Sequence, residues 1–166
     1  MDSATLWTAV GAIGTCVGAA ATVLAIRTVK SRPTYISLQG RWRGGFNDEW
    51  EFLGEVRIKE SEASGRFRWK LIDCSPGLPW AKNKGRTGYE LVAGKLEAGI
   101  LSCGGTKIVP GAEDLLTLAN YTIPLPSHDG QFEGTSVPQK RTRWEVDGKL
   151  FGTATYLKRA PAYFQD

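Results

Sequence analysis

Histidine occurs once in this chain, at His128, and cysteine only three times, at Cys16, Cys74 and Cys103. Each scarcity closes off a chemistry. A Ser-His-acid catalytic group would have to use His128, which sits in the turn His128-Asp129-Gly130, where an imidazole is normally solvated. Three separated thiols form no CxxC pair and, with one histidine, no zinc-ligand spacing. Helical periodicity is missing after Arg32, so no helix is there to follow a phosphate-binding glycine loop. The sequence therefore reads as a protein that is not an enzyme, with no catalytic residue, metal site or cofactor.

Charge is the other absence. Leu6 to Ile26, LWTAVGAIGTCVGAAATVLAI, holds no Asp, Glu, Lys or Arg. At helical rise such a run reaches about 30 Å, the thickness of a bilayer's hydrocarbon core. It predicts a single N-terminal transmembrane α-helix, with its flank over 1–30. A cleavable signal peptide is the weaker reading: Met1-Asp2-Ser3-Ala4 has no basic residue, and the apolar run continues past Ala19-Ala20-Ala21. A buried helix of a soluble protein would show a polar face, and this run has none. Arg27, Lys30 and Arg32 follow the run while Asp2 alone precedes it, so the N-terminus is expected outside and the rest of the chain in the cytoplasm, its thiols reduced. Gly14, Gly18 and Thr22 share one helix face, and Gly11 opens the neighbouring stripe with Thr15 and Ala19. Rows of small residues let helices approach closely in lipid, which predicts a homo-oligomer joined through Gly11, Gly14, Gly18 and Thr22.

Beyond Ser31-Arg32-Pro33 the pattern changes to alternation. Trp50, Phe52, Val56 and Ile58 fall on even positions between Glu49, Glu51, Glu55, Arg57 and Lys59, with a bend or bulge expected at Gly54. Phe67, Trp69 and Leu71 alternate with Arg66, Arg68 and Lys70 after the turn at 60–65. Further strands are expected over 89–96, 99–103, 115–125, 131–137 and 150–157, the last entered from Trp144 to Val146 through Asp147-Gly148, with another around Gly40-Arg41-Trp42. About eight short strands joined by tight turns predict an all-β, antiparallel up-and-down barrel over 31–160, with a sandwich as the alternative and a loose tail at 161–166.

Basic and aromatic residues interleave in Arg41-Trp42-Arg43, Arg66-Phe67-Arg68-Trp69-Lys70 and Arg141-Thr142-Arg143-Trp144. On a strand they point to opposite faces, and which face is inward stays open. Filling the barrel with the aromatics buries apolar area at about 25 cal/mol per Å². Yet three like charges along one strand repel one another, and an anionic partner would relieve this. Arginine forks suit phosphate oxygens, and indole or phenol faces stack on bases. The candidate ligand-binding residues are Arg66, Arg68, Lys70, Arg86 and Arg143 for phosphate, with Trp69, Trp80 and Tyr121 as stacking or wall residues. Lys82, Lys84 and Arg86 beside Trp80 form either a lid over a barrel mouth or a solvated loop. The net charge of +4 suits an acidic leaflet or an acidic ligand alike.

The pair Gly40-x-Trp42 on the first strand, the meander, and the late basic residues Lys158 and Arg159 resemble the lipocalin-like (calycin) plan, in which the tryptophan plugs one barrel end under an arginine. With the N-terminal anchor, the chain resembles the transmembrane β-barrel effectors of bacterial cyclic-oligonucleotide (CBASS-type) antiphage signalling, which typically have two spans where this sequence supplies one. The resemblance implies a protein of the bacterial inner membrane with its barrel in the cytoplasm. Such a barrel would bind a small anionic ligand, a cyclic nucleotide second messenger, and the helices would oligomerise and perturb the membrane in antiviral defence; no DNA or RNA partner is expected. The alternative is a membrane-tethered, lipocalin-like binder of a hydrophobic ligand, or a scaffold, with a basic surface on the lipid. A third reading is a secreted barrel released by cleavage.

Overall fold

The computed structural model describes residues 31–165. The expected membrane helix at 6–26, with Gly11, Gly14, Gly18 and Thr22, lies outside the described residues. Among the described residues, no helix is long and apolar enough to cross a membrane.

The alternating pattern folds as an all-β, eight-stranded antiparallel barrel. The strands are β1 (Thr34–Arg43), β2 (Glu49–Lys59), β3 (Glu62–Asp73), β4 (Thr87–Glu97), β5 (Ile100–Ile108), β6 (Ala119–Pro124), β7 (Gly130–Pro138) and β8 (Gly148–Leu157). Each pairs with its neighbour in sequence, and β8 closes back on β1 from Tyr35↔Leu157 to Arg43↔Lys149. Ile36, Leu38, Phe52, Val56, Phe67 and Leu71 are fully or almost fully buried inside, each in step with its strand's inward register. Phe52 anchors the interior, edge-on to Phe67 with centroids 4.9 Å apart and 4.7 Å from Trp69. Such pairs add attraction beyond the area they bury.

The meander gives the barrel two unlike ends. At one, β2–β3 and β4–β5 turn tightly through Glu60-Ser61 and Ala98-Gly99, and the chain enters β1 and leaves β8 there. At the other, four loops gather: 44–48, 74–86, 109–118 and 139–147. This end is the mouth.

Several local expectations are corrected. Gly54 carries no bulge: it stays in register opposite Leu38 and Phe67, and the rings of Phe52 and Phe67 occupy the space a side chain would need. The irregularity in that hairpin falls at Glu49/Trp50. Residues 115–118, expected to open a strand, belong to a mouth loop. The tail expected to be loose forms a 3-10 turn at Ala162–Phe164, with Tyr163 under the Arg66 guanidinium at 4.5 Å and Phe164 against Tyr35 at 5.6 Å. Trp42 does not sit beneath a late arginine. It lies at the mouth end of β1, opposite Leu150, and its Nε1 donates to Ser136 Oγ at 2.6 Å. Lys158 and Arg159 follow Leu157, which pairs with Tyr35 at the other end.

Candidate functional site

Strand alternation decides which of the candidate residues can share a space. Odd positions of β3 point inward, so Phe67, Trp69 and Leu71 are buried while Arg66, Arg68 and Lys70 lie on the outer face. Two of the three basic charges in this row are balanced from β2: Arg66 pairs with Glu55 at 2.9 Å and Arg68 with Glu51 at 3.3 Å. The structure does not bring these three residues to the mouth. Arg86 stands at the mouth, but its guanidinium forks onto Asp114 at 2.8 and 3.1 Å and reaches Asn83 Oδ1 at 2.7 Å. It staples loop 74–86 to loop 109–118. Arg143 is exposed on loop 139–147, 4.4 Å over the ring of Trp144.

Trp69, Trp80 and Tyr121 do come together, as walls of a cavity of about 240 Å³ at the mouth. Trp42, Trp50 and Trp144 complete an indole lining, so every tryptophan among the described residues faces this one space. Three mouth loops meet through rings: Phe46, Trp80 and Trp144 sit pairwise 5.9–6.2 Å apart at steep angles. Leu115, Leu116 and Val146 add aliphatic wall. These loops are held by hydrogen bonds as well as by packing, Asn83 donating to the Asp114 carbonyl and Ser75 to the Phe46 carbonyl.

The charged residues of the cavity lining are acidic, beside the neutral hydroxyls of Thr117 and Ser136. Asp48, Glu113, Asp114 and Glu145 line it, and among the described residues no Lys, Arg or His does. Two of these carboxylates are engaged, Asp114 by Arg86 and Glu113 by the Gly111 amide at 2.7 Å. Asp48 is 5% exposed and accepts from Trp50 Nε1 at 3.3 Å through Oδ2, while its Oδ1 has no partner. Burial holds its carboxyl above the usual carboxylate range, against the opposing pull of hydrogen bonds from Trp50 and from the backbone at Asp48 and Phe46. Glu145 Oε2 and Trp80 Nε1 are likewise buried without partners. Such atoms normally find partners, so three among the residues lining one cavity mark polar groups that the fold leaves unsatisfied.

Trp69 and Tyr121 also converge on a buried carboxyl, Glu90, on the inward register of β4. Trp69 Nε1 donates to Glu90 Oε1 at 2.8 Å, and the Tyr121 hydroxyl makes a short hydrogen bond to the same oxygen. Burial pushes the Glu90 carboxyl up to about 7, the two hydrogen bonds pulling weakly the other way. The ring planes of Trp69 and Tyr121 are thereby fixed at 24° to each other, stacked 6.0 Å apart.

Sequence reasoning missed Asp48, Glu90 and Glu145. Glu90 was in principle legible, since it shares the inward phase of Gly88 and Val92, but Tyr89 and Leu91 give the opposite phase an equally apolar look. Asp48 and Glu145 stand in loops, where no period exists to place a side chain. No protein-family model, curated protein or solved structure matches the chain.

Proposed function

We propose that this chain is a membrane-tethered barrel that binds a small molecule at its mouth, the charge-free run at 6–26 serving as the tether. The observation that carries the binding half is the cavity of about 240 Å³ on which five tryptophans converge, with three buried polar atoms left without partners. Ligand sites are largely apolar and aromatic concavities with a few placed polar groups, and this one has that composition. A core serving packing alone would have no reason to gather its indoles around a space.

A second reading keeps the cyclic oligonucleotide messenger as ligand, with helix association and membrane perturbation as the output. The exposed Arg143 guanidinium lying on the Trp144 ring favours it, because an arginine beside an aromatic face suits a phosphate attached to a stacking base. Against it stand the four carboxylates of the lining and the outward placement of Arg66, Arg68 and Lys70. The first reading therefore leads.

Both readings meet one experiment. Full-length protein in lipid nanodiscs is titrated with cyclic di- and trinucleotides and with uncharged and charged aromatic compounds, following tryptophan emission. Saturable quenching by at least one compound, lost in Thr117→Phe, which adds bulk at an exposed lining position, is the expected result. Quenching by a cyclic nucleotide alone transfers the lead to the second reading, and a panel with no saturable response removes both.

A further inference from the structure

The geometry points to an organic cation as the ligand of the mouth: a protonated primary or secondary amine on an apolar or aromatic body. This rests on the mouth being a binding site and adds the ligand's charge. Two features of the lining require it together. The first is the set of indole faces, which attract a cation through the negative face of the π system. The second is the pair Asp48 and Glu145, each with a buried carboxylate oxygen that accepts no hydrogen bond, with no basic side chain lining the same space among the described residues.

A buried carboxylate without a counter-charge is costly, and an N–H-bearing cation removes that cost while filling the vacant acceptor. A neutral ligand of the same shape would fill the space and leave the charge uncompensated, and an anion would worsen it. A bare metal ion fits less well, because among the described residues no three carboxylate, thiol or imidazole groups gather at ligating distance. The two engaged carboxylates, Glu113 and Asp114, are tied by Gly111 and Arg86 and serve the loops.

Three probes of one shape separate the possibilities: phenethylamine, cationic at neutral pH, the uncharged 2-phenylethanol, and anionic phenylacetate. Full-length protein in nanodiscs is titrated with each by tryptophan quenching and by calorimetry. Phenethylamine is expected to bind at least about tenfold more tightly than the alcohol, and phenylacetate most weakly. Asp48→Asn and Glu145→Gln keep shape and hydrogen-bonding capacity and should each lower amine affinity while leaving the alcohol's unchanged. Glu145 is on a half-buried loop, so its variant reports even where Asp48→Asn unfolds. Alcohol binding as tight as the amine's, or amine binding indifferent to both substitutions, overturns the cation assignment and leaves the mouth as a binding site. No saturable binding of any probe overturns the cation assignment and counts against the site itself.

Discussion

Glu90 is the residue at which folding and the site meet. Its side chain is 1% exposed, and burial lifts its carboxyl from about 4.5 to about 7. Its neighbours do not titrate in that window: burial, reinforced by the Glu90 charge, pushes the Cys103 thiol up to about 12 and holds the Tyr121 phenol well above its ordinary value. The folded protein therefore retains a proton that the unfolded chain releases between pH 4.5 and 7. This group's contribution is full below pH 4.5, declines as pH rises to 7 and is flat above, a loss of about 3 kcal/mol from a shift of roughly 2.5 units. Exposed pairs such as Arg86–Asp114 act oppositely and at lower pH, since the lowered Asp114 carboxyl loses its contribution as pH falls. Glu90→Gln keeps an acceptor for Trp69 and Tyr121 and removes the titration. Urea unfolding of both proteins at pH 5 and pH 8 should show the parent losing stability relative to the variant at the higher pH. Parallel shifts in the two proteins would mean that Glu90 is ionised throughout.

At the scale of the strand, the closing seam between β1 and β8 depends on two glycines that face each other, Gly40 and Gly152. A Cβ on Gly40 would collide with the Phe151 carbonyl oxygen, and one on Gly152 with that of Gln39, and backbone cannot swing aside as a side chain can. Gly152→Ala should cost about 2–4 kcal/mol, read as a lower urea midpoint, whereas Gly77→Ala has nothing within 4 Å to meet and differs only by the strain of its positive φ of 88°. Such glycines were legible as glycines but not as seam residues, because close approach between strands is a property of the closed sheet. Strand identity was legible for a simpler reason. Phe67, Trp69 and Leu71 against Arg66, Arg68 and Lys70 is a period of two that only a pleated ribbon satisfies. The inference from that basic row to an anionic ligand omitted the partner strand. Glu51 and Glu55 lie on the same outer face of β2, Glu55 directly opposite Arg66 and Glu51 opposite Lys70 with Arg68 reaching it diagonally, so much of the repulsion was already answered within the sheet. The indoles divided likewise: Trp50 and Trp69 follow their strands' period, while Trp80 and Trp144 are placed only by loops that meet in three dimensions.

For the molecule as a whole, closure of the barrel has a consequence for what precedes it. A sheet whose last strand pairs with its first has no unpaired edge, so its backbone hydrogen bonds need no additional segment to complete them. Its interior is filled by its own aromatic and aliphatic side chains, from Ile36 on β1 to Ala154 on β8. The barrel forms a compact unit of its own that begins at Pro33. A protein beginning at Ser31 should therefore unfold in urea at the same midpoint as the full chain and retain the quenching response of the mouth. If 6–26 is the tether, removing it should shift the protein from the membrane fraction to the supernatant with no change in that midpoint. A shortened chain that aggregates, or whose tryptophan emission is that of exposed indole, would show that the barrel needs residues 1–30 to stand. Full-length protein recovered in the supernatant would instead remove the tether and leave the barrel and its mouth untouched. The two halves of the proposed function thus separate by one truncation: on that proposal, the run before Pro33 would set where the protein resides and the ring-lined mouth what it holds.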